Sequence, residues 1–228
     1  MSLNLFGAVP RLIVKSRATF IQQYPFPASV RDGLRRELGL TLEQSGRVLE
    51  GLRQYFLACL SAQGTPLARE VGMPSKAVDI AWHEFIVATR EYASFCQRAF
   101  GRYLHHNPAG VSPVPSRHAL ANTLHQFRQP PLASATPWIM VGSVPLLFAM
   151  DREVGISGGY PWDAEALAEL NTLRRAEMNS RGGSSGSCGG ASSCGGASSC
   201  CGHFGGAADS GSSGCSGASC GGGGCSGQ

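Results

Sequence analysis

SKAVDIAWHEFIVATREYASFCQRAFGRY, residues 75–103, is the stretch that decides the fold. Within it Val78, Trp82, Phe85, Thr89, Tyr92, Cys96, Ala99 and Tyr103 recur at intervals of three and four. That is the period of one face of an α-helix, and it excludes the strict alternation of a half-buried strand. Ser75 stands just ahead of the stripe with the short hydroxyl side chain favoured at an N-cap, and His105, His106, Asn107 and Pro108 mark the end. The spacing predicts one long amphipathic helix from Ser75 to about Tyr103.

Working outward, Thr41 followed three residues later by Gln44 reads as a capping box. Behind it Leu42, Val48, Leu49, Leu52, Tyr55, Phe56, Cys59 and Leu60 fall on one stripe, and Gly64, Thr65 and Pro66 close the helix. Pro25 and Pro27 separate a segment from Arg11 to Gln23 from a further candidate helix that runs from about Ser29 to Gly39. Downstream, Ser116 can cap a helix through Phe127, after which Pro130, Pro131 and Pro137 impose extended chain. Asp163 caps a last helix, with Ala166, Leu167, Leu170 and Leu173 facing inward and Arg174 and Arg175 suited to the negative end of its dipole. Trp138 to Val144 is the one strand candidate. The expected class is all-α: residues 1–180 form a compact multi-helix domain with a long central helix, and residues 181–228 a disordered Gly/Ser/Cys-rich tail.

Composition separates two polymers. Gly182 to Gln228 holds 18 Gly, 13 Ser, 7 Cys and 5 Ala and no aliphatic residue larger than Ala, so it has nothing with which to build a core. All 19 Lys and Arg lie before it, with 14 of the 15 acidic residues, which leaves +5 on the domain and −1, from Asp209, on the tail. The cations are dispersed, whereas tracking phosphates needs a concentrated basic face, which argues against nucleic acid as the partner. Met1 to Pro10 lacks the basic start of a secretory signal. The longest apolar run, Trp138 to Met150, is interrupted by Gly142, Ser143 and Pro145 and is shorter than the roughly 20 residues of a spanning helix. A cytoplasmic location is expected, and there thiols stay reduced, so the tail cysteines are read as ligands or modification sites and not as a disulfide framework.

Asp79 and His83 are four apart and share a face displaced from the apolar stripe. His105 and His106 lie about 22 residues further on, a rise of over 30 Å on a straight helix. A joint site therefore requires a break in the helix or a fold-back near Gly101. Imidazole and carboxylate suit zinc or iron, and His118 and His125 on another helix are available as further ligands. A zincin helix is excluded, because His83-Glu84 would need a second His where Val87 stands. Cys96, on the apolar stripe with Trp82 and Tyr92, reads as a small inert hydrophobe and not as a nucleophile partnered by His83 or His106. Gly155 to Gly159 reads as a turn and not as a nucleotide fingerprint, and no catalytic template remains.

In the tail, Cys188, Cys194 and Cys200 repeat every six residues within a Gly-Gly-Ala-Ser-Ser-Cys unit, and Cys215, Cys220 and Cys225 every five. No Cys-x-x-Cys pair occurs, which argues against a zinc ribbon. Vicinal Cys200 and Cys201 beside His203 make a flexible polythiol that suits a soft ion such as Cu(I), zinc or cadmium. The tail also resembles the Gly/Ser/Cys-rich core of azole-containing microcins, although those follow a short leader and here a domain-sized segment precedes. That resemblance implies a cyclodehydratase as the tail-modifying partner.

Val78-Asp79-Ile80-Ala81-Trp82-His83, then Thr89, Tyr92, Phe95-Cys96, Gly101 and His105-His106-Asn107-Pro108, resemble bacterial glycine-rich domain-containing proteins. Pro145-Leu146-Leu147-Phe148-Ala149-Met150-Asp151 and Gly155-Ile156-Ser157-Gly158-Gly159 look like a second block of that family, so the likeness spans roughly residues 75–160. In the plant proteins of the same name an Asp and a Trp-His open a helix and a second His often follows two residues later; here that position is Phe85. The resemblance implies Asp79, Trp82, His83, Tyr92, Cys96, His105 and His106 as the positions to test, with no role attached. The expected function is non-enzymatic: a helical scaffold presenting a thiol-rich tail for metal binding, with zinc or copper, or for contact with a protein partner. The alternatives are a precursor with a modified tail and a metal-dependent module centred on Asp79 and His83.

Overall fold

The computed structural model describes residues 11–63, 65, 71–106, 116–132 and 137–182. Among them are eight helices: α1 (Arg11–Gln23), α2 (Ala28–Leu38), α3 (Leu42–Ala62), α4 (Lys76–Val87), α5 (Thr89–Phe100), α6 (Ser116–Gln126), α7 (Leu146–Val154) and α8 (Ala164–Gly182). The strands β1 (Met140–Val141) and β2 (Val144–Pro145) make one two-residue antiparallel hairpin, with Met140 opposite Pro145 and Val141 opposite Val144. The all-α class holds; Arg181 and Gly182, assigned to the tail from sequence, end α8, and residues 183–228 lie outside the described residues.

Helix α3 starts where its capping box is written. The Gln44 amide donates to Thr41 Oγ1 at 3.1 Å and the Thr41 amide to Gln44 Oε1 at 2.9 Å, which satisfies two of the first-turn N–H groups. Val48, Leu49, Leu52, Phe56 and Leu60 are buried, whereas Leu42, in the first turn, is exposed. The helix occupies the centre and packs on α1, α2, α4, α6 and α7. At Gly51 the neighbours come so near that a Cβ would stand 2.9 Å from both Met150 Cε and Val78 Cγ2. Phe56, Phe85 and Phe95 are fully buried beside it, and burial of each such ring contributes about 1.5–3 kcal/mol.

The helix expected from Ser75 to Tyr103 is two helices. The chain turns at Ala88 (φ −76°, ψ 65°), whose amide bonds back to Phe85 O at 3.1 Å. On a straight helix Phe85 and Phe95 would be separated by a rise of about 15 Å, but their rings lie 5.3 Å apart. The turn thus folds one apolar stripe onto itself: Val78, Trp82 and Phe85 on α4 and Tyr92, Cys96 and Ala99 on α5 are all buried, and Thr89 and Tyr103 fall outside.

The apolar run from Trp138 holds the β1–β2 hairpin and then α7, a helix the sequence reading lacked. Buried Gln54 secures its start, accepting from the Ile139 amide at 3.2 Å and donating to Pro137 O at 3.4 Å. Asp163 caps α8 through the Ala166 amide at 2.8 Å. That helix runs on to Gly182, so Arg174 and Arg175 sit in its middle and do not meet its C-terminal dipole. No helix among the described residues is long and apolar enough to cross a membrane.

Candidate metal centre

The start of α4 is held by a carboxylate distant in sequence. Asp151, buried on α7, accepts from the Ser75 hydroxyl at 2.6 Å and the Ala77 amide at 3.0 Å through Oδ1. Its Oδ2 accepts from the amides of Lys76 at 3.1 Å and Tyr160 at 2.9 Å. Ser75 Oγ in turn accepts from the Val78 amide at 3.1 Å, so side chains occupy the positive end of the helix. Trp162 Nε1 donates to Pro74 O at 2.7 Å, and Lys76 Nζ to Gly158 O. The two blocks singled out by resemblance are therefore one structural unit, in which residues 151–162 fix where α4 begins.

Gly155-Ile156-Ser157-Gly158-Gly159 is the turn that closes α7, with Gly155 and Gly158 in the left-handed region. These five residues also spell Gly-x-Ser-x-Gly, although the sequence is read as holding no such elbow. A nucleophile elbow requires a strand leading into a helix, and here a helix leads into a turn, so Ser157 has no such role.

From this fixed start Asp79 and His83 project from one face of α4, with His83 Nε2 4.0 Å from Asp79 Oδ2. The third group arrives by the return of the chain. α5 ends at Gly101 (φ 71°), where a Cβ would lie 2.8 Å from the Arg17 guanidinium; glycine serves both the left-handed conformation and the close approach. Arg17 and Gln63 both donate to Phe100 O, at 3.3 and 2.7 Å. The chain then doubles back along α4, and His106 Nε2 lies 2.8 Å from Asp79 Oδ1. The break and the fold-back that a joint site requires are thus both present.

Asp79, His83 and His106 each offer a ligand atom, and these three atoms lie within 4.8 Å of one another. Ligands at 2.0–2.1 Å from one ion stand about 3 Å apart, so modest side-chain rotation closes the set around a metal. A carboxylate only accepts, so the His106 contact needs a proton on Nε2, and an ion at that position displaces it. The side chains are 14 % (His106), 34 % (Asp79) and 55 % (His83) exposed, which leaves one side of the set facing solvent. The two imidazole rings lie 4.4 Å apart and tilted by 59°, and Trp82 meets the His106 ring edge-on at 4.5 Å.

His105 is not part of the group; its ring packs on Tyr103 at 4.9 Å. His118 and His125 are on α6, outside the group, with His125 Nε2 3.1 Å from Gln129 Nε2. Cys96 is buried, and burial raises its thiol above the ordinary value, in line with an inert side chain. Cys188, Cys194, Cys200, Cys201, His203, Cys215, Cys220 and Cys225 lie outside the described residues. Sequence reasoning missed Asp151; the available signal was an acid directly after the apolar residues Leu146 to Met150, in a stretch that Pro145 and Gly155 bracket as a helix.

A family model described as UCP032817-like matches residues 16–188. No curated protein and no solved structure matches the chain.

Proposed function

The chain belongs to the UCP032817-like family, and from that premise we propose that its helical domain binds one divalent transition-metal ion through Asp79, His83 and His106. The observation that carries this reading is the convergence of a carboxylate and two imidazoles within 4.8 Å, contributed by two stretches of chain that meet only in the fold. Two imidazoles and one carboxylate with an open side suit zinc or iron, and the solvent-facing side leaves room for water or an exogenous oxygen donor. Copper(I) prefers thiolates, and it fits the tail instead.

The tail has its own proposal, carried by its composition. Seven cysteines and His203 among small residues give a flexible soft-metal ligand or a substrate for a modifying enzyme. The cytoplasm, where these thiols stay reduced, suits both roles. Membership among bacterial glycine-rich domain-containing proteins remains a proposal from the residues quoted above.

Native mass spectrometry of the full chain with all seven tail cysteines replaced by serine separates the two sites. One metal ion per chain is expected, with occupancy sharply reduced, though still measurable at high metal concentration, in His83→Ala or His106→Ala. A metal-free chain after incubation with zinc or iron(II) contradicts the domain site.

A further inference from the structure

Behind the three candidate ligands lies a buried hydrogen-bonded pair that ties α4 and α5 to the returning segment. Trp82 Nε1 donates to the Tyr92 hydroxyl at 2.9 Å, and that hydroxyl donates to Leu104 O at 2.5 Å. Both side chains are buried, Tyr92 fully, and burial raises the phenol above its ordinary value, so it stays protonated and can serve as a donor. Leu104 is two residues before His106, on the segment that returns from Gly101. The Trp82 ring that supplies the first bond also meets the His106 ring at 4.5 Å.

Two of the ligands need no such help, since Asp79 and His83 stand four apart on one helix. His106 follows a helix end and has no helical backbone to aim it. We infer that Tyr92 is a positioning residue for the metal: by holding the Leu104 carbonyl while it accepts from Trp82, it sets the return segment so that His106 meets Asp79. Arg17 and Gln63 fix the start of that segment at Phe100; Tyr92 fixes its end. This inference rests on the metal-binding reading of the same site.

The arrangement resembles in principle the outer groups that orient metal-ligating side chains, whose loss costs about 10–100-fold in affinity. Here the outer group acts on the backbone next to the ligand instead of on the ligand's own ring. Tyr92→Phe keeps the ring and removes only the hydroxyl, and with it both the bond to Leu104 O and the acceptor for Trp82, while the aromatic packing stays.

The test is a cobalt(II) titration of the full chain with the tail cysteines as serine, read by visible absorption. Tyr92→Phe is expected to weaken binding by about 10–100-fold and to move the spectrum towards that of His106→Ala. In the His106→Ala background it is expected to weaken binding no further than about twofold, the ordinary scatter of additive effects. Equal affinity in Tyr92→Phe and its parent, or the same weakening in both backgrounds, overturns the inference, because Tyr92 would then act on the fold at large. Should circular dichroism show Tyr92→Phe unfolded, Tyr92→4-fluorophenylalanine, which fills the space of the hydroxyl but donates nothing to Leu104 O, carries the same two comparisons. Failure of the metal reading looks different: the parent chain takes up no cobalt, or His83→Ala and His106→Ala bind it as the parent does.

Discussion

His106 Nε2 lies 2.8 Å from Asp79 Oδ1 although 27 positions separate the two residues. Asp79 is in the first turn of α4 and His106 at the end of the segment that leaves α5. Their contact therefore exists only because the chain breaks at Ala88, ends a second helix at Gly101 and returns. In the metal-free protein the contact is a charge-assisted hydrogen bond, which contributes about 1.5–3 kcal/mol. An ion held by Asp79, His83 and His106 would exchange that bond for three metal–ligand bonds.

Asp79→Asn separates these two roles of the carboxylate. The variant keeps the shape and loses the negative charge, so zinc affinity should fall by more than the roughly 100-fold upper range for outer groups. Stability without metal should fall by only about 1 kcal/mol, because the site is part-exposed and water can replace the lost bond. Urea unfolding beside a zinc titration checks both numbers. Comparable affinity in the two proteins would remove Asp79 from the ligand set.

Asp151→Ala should act through the fold. Three backbone amides and the Ser75 hydroxyl lose their acceptor, and leaving such groups unmade costs on the order of 3 kcal/mol after water enters. Because these bonds fix where α4 begins, zinc binding should weaken in the same variant although Asp151 is not in the ligand group. Urea unfolding of variant and parent reads the stability; a change below about 0.5 kcal/mol contradicts the clamp.

Gly51→Ala sets two effects of opposite sign against each other. Alanine gains about 1 kcal/mol over glycine as a helix former, whereas overpacking a core costs about 1–3 kcal/mol. Val78 Cγ2, 2.9 Å from the added Cβ, belongs to a stiff β-branched side chain on α4. Net destabilisation is expected, visible as a lower urea midpoint with an unchanged slope. A stabilised variant would show that α3 and α4 separate freely.

His125 should make the domain less stable in acid. Burial, then Arg174 and Arg128, lower its pKa below the ordinary 6.5. The unfolded chain therefore takes up the proton first as pH falls. The stability associated with neutral His125 is present above about 6.5 and is lost as pH drops from there towards the folded value. His125→Gln should flatten the stability curve across that window, measured by urea unfolding at successive pH values. An unchanged slope would assign the acid sensitivity to other groups.

What was legible in the chain was local. Thr41 with Gln44, Ser75 ahead of Val78, and Asp163 ahead of Ala166 are caps whose partners lie three residues away, and their chemistry does not depend on the rest of the fold. The break at Ala88 has no such marker: Val87-Ala88-Thr89 contains neither Gly nor Pro, and the apolar spacing runs through it unaltered. The turn is favoured by tertiary gain, the edge-to-face contact of Phe85 with Phe95 and the hydrogen bond from Trp82 to Tyr92, which no window of sequence reports. Asp79 and His83 could be paired by helical spacing alone. Choosing His106 over His105 required the direction in which the returning segment points. Helix α7 was obscured because Leu146 to Met150 continues an apolar run that begins in the hairpin.

The most direct test is zinc titration calorimetry of the full chain with its seven tail cysteines as serine, run beside the same chain carrying Asp79→Ala, His83→Ala and His106→Ala. One zinc per chain in the first protein, and no binding heat in the second with its helical signal intact, is the predicted result. The same isotherm in both proteins would contradict a metal centre at Asp79, His83 and His106.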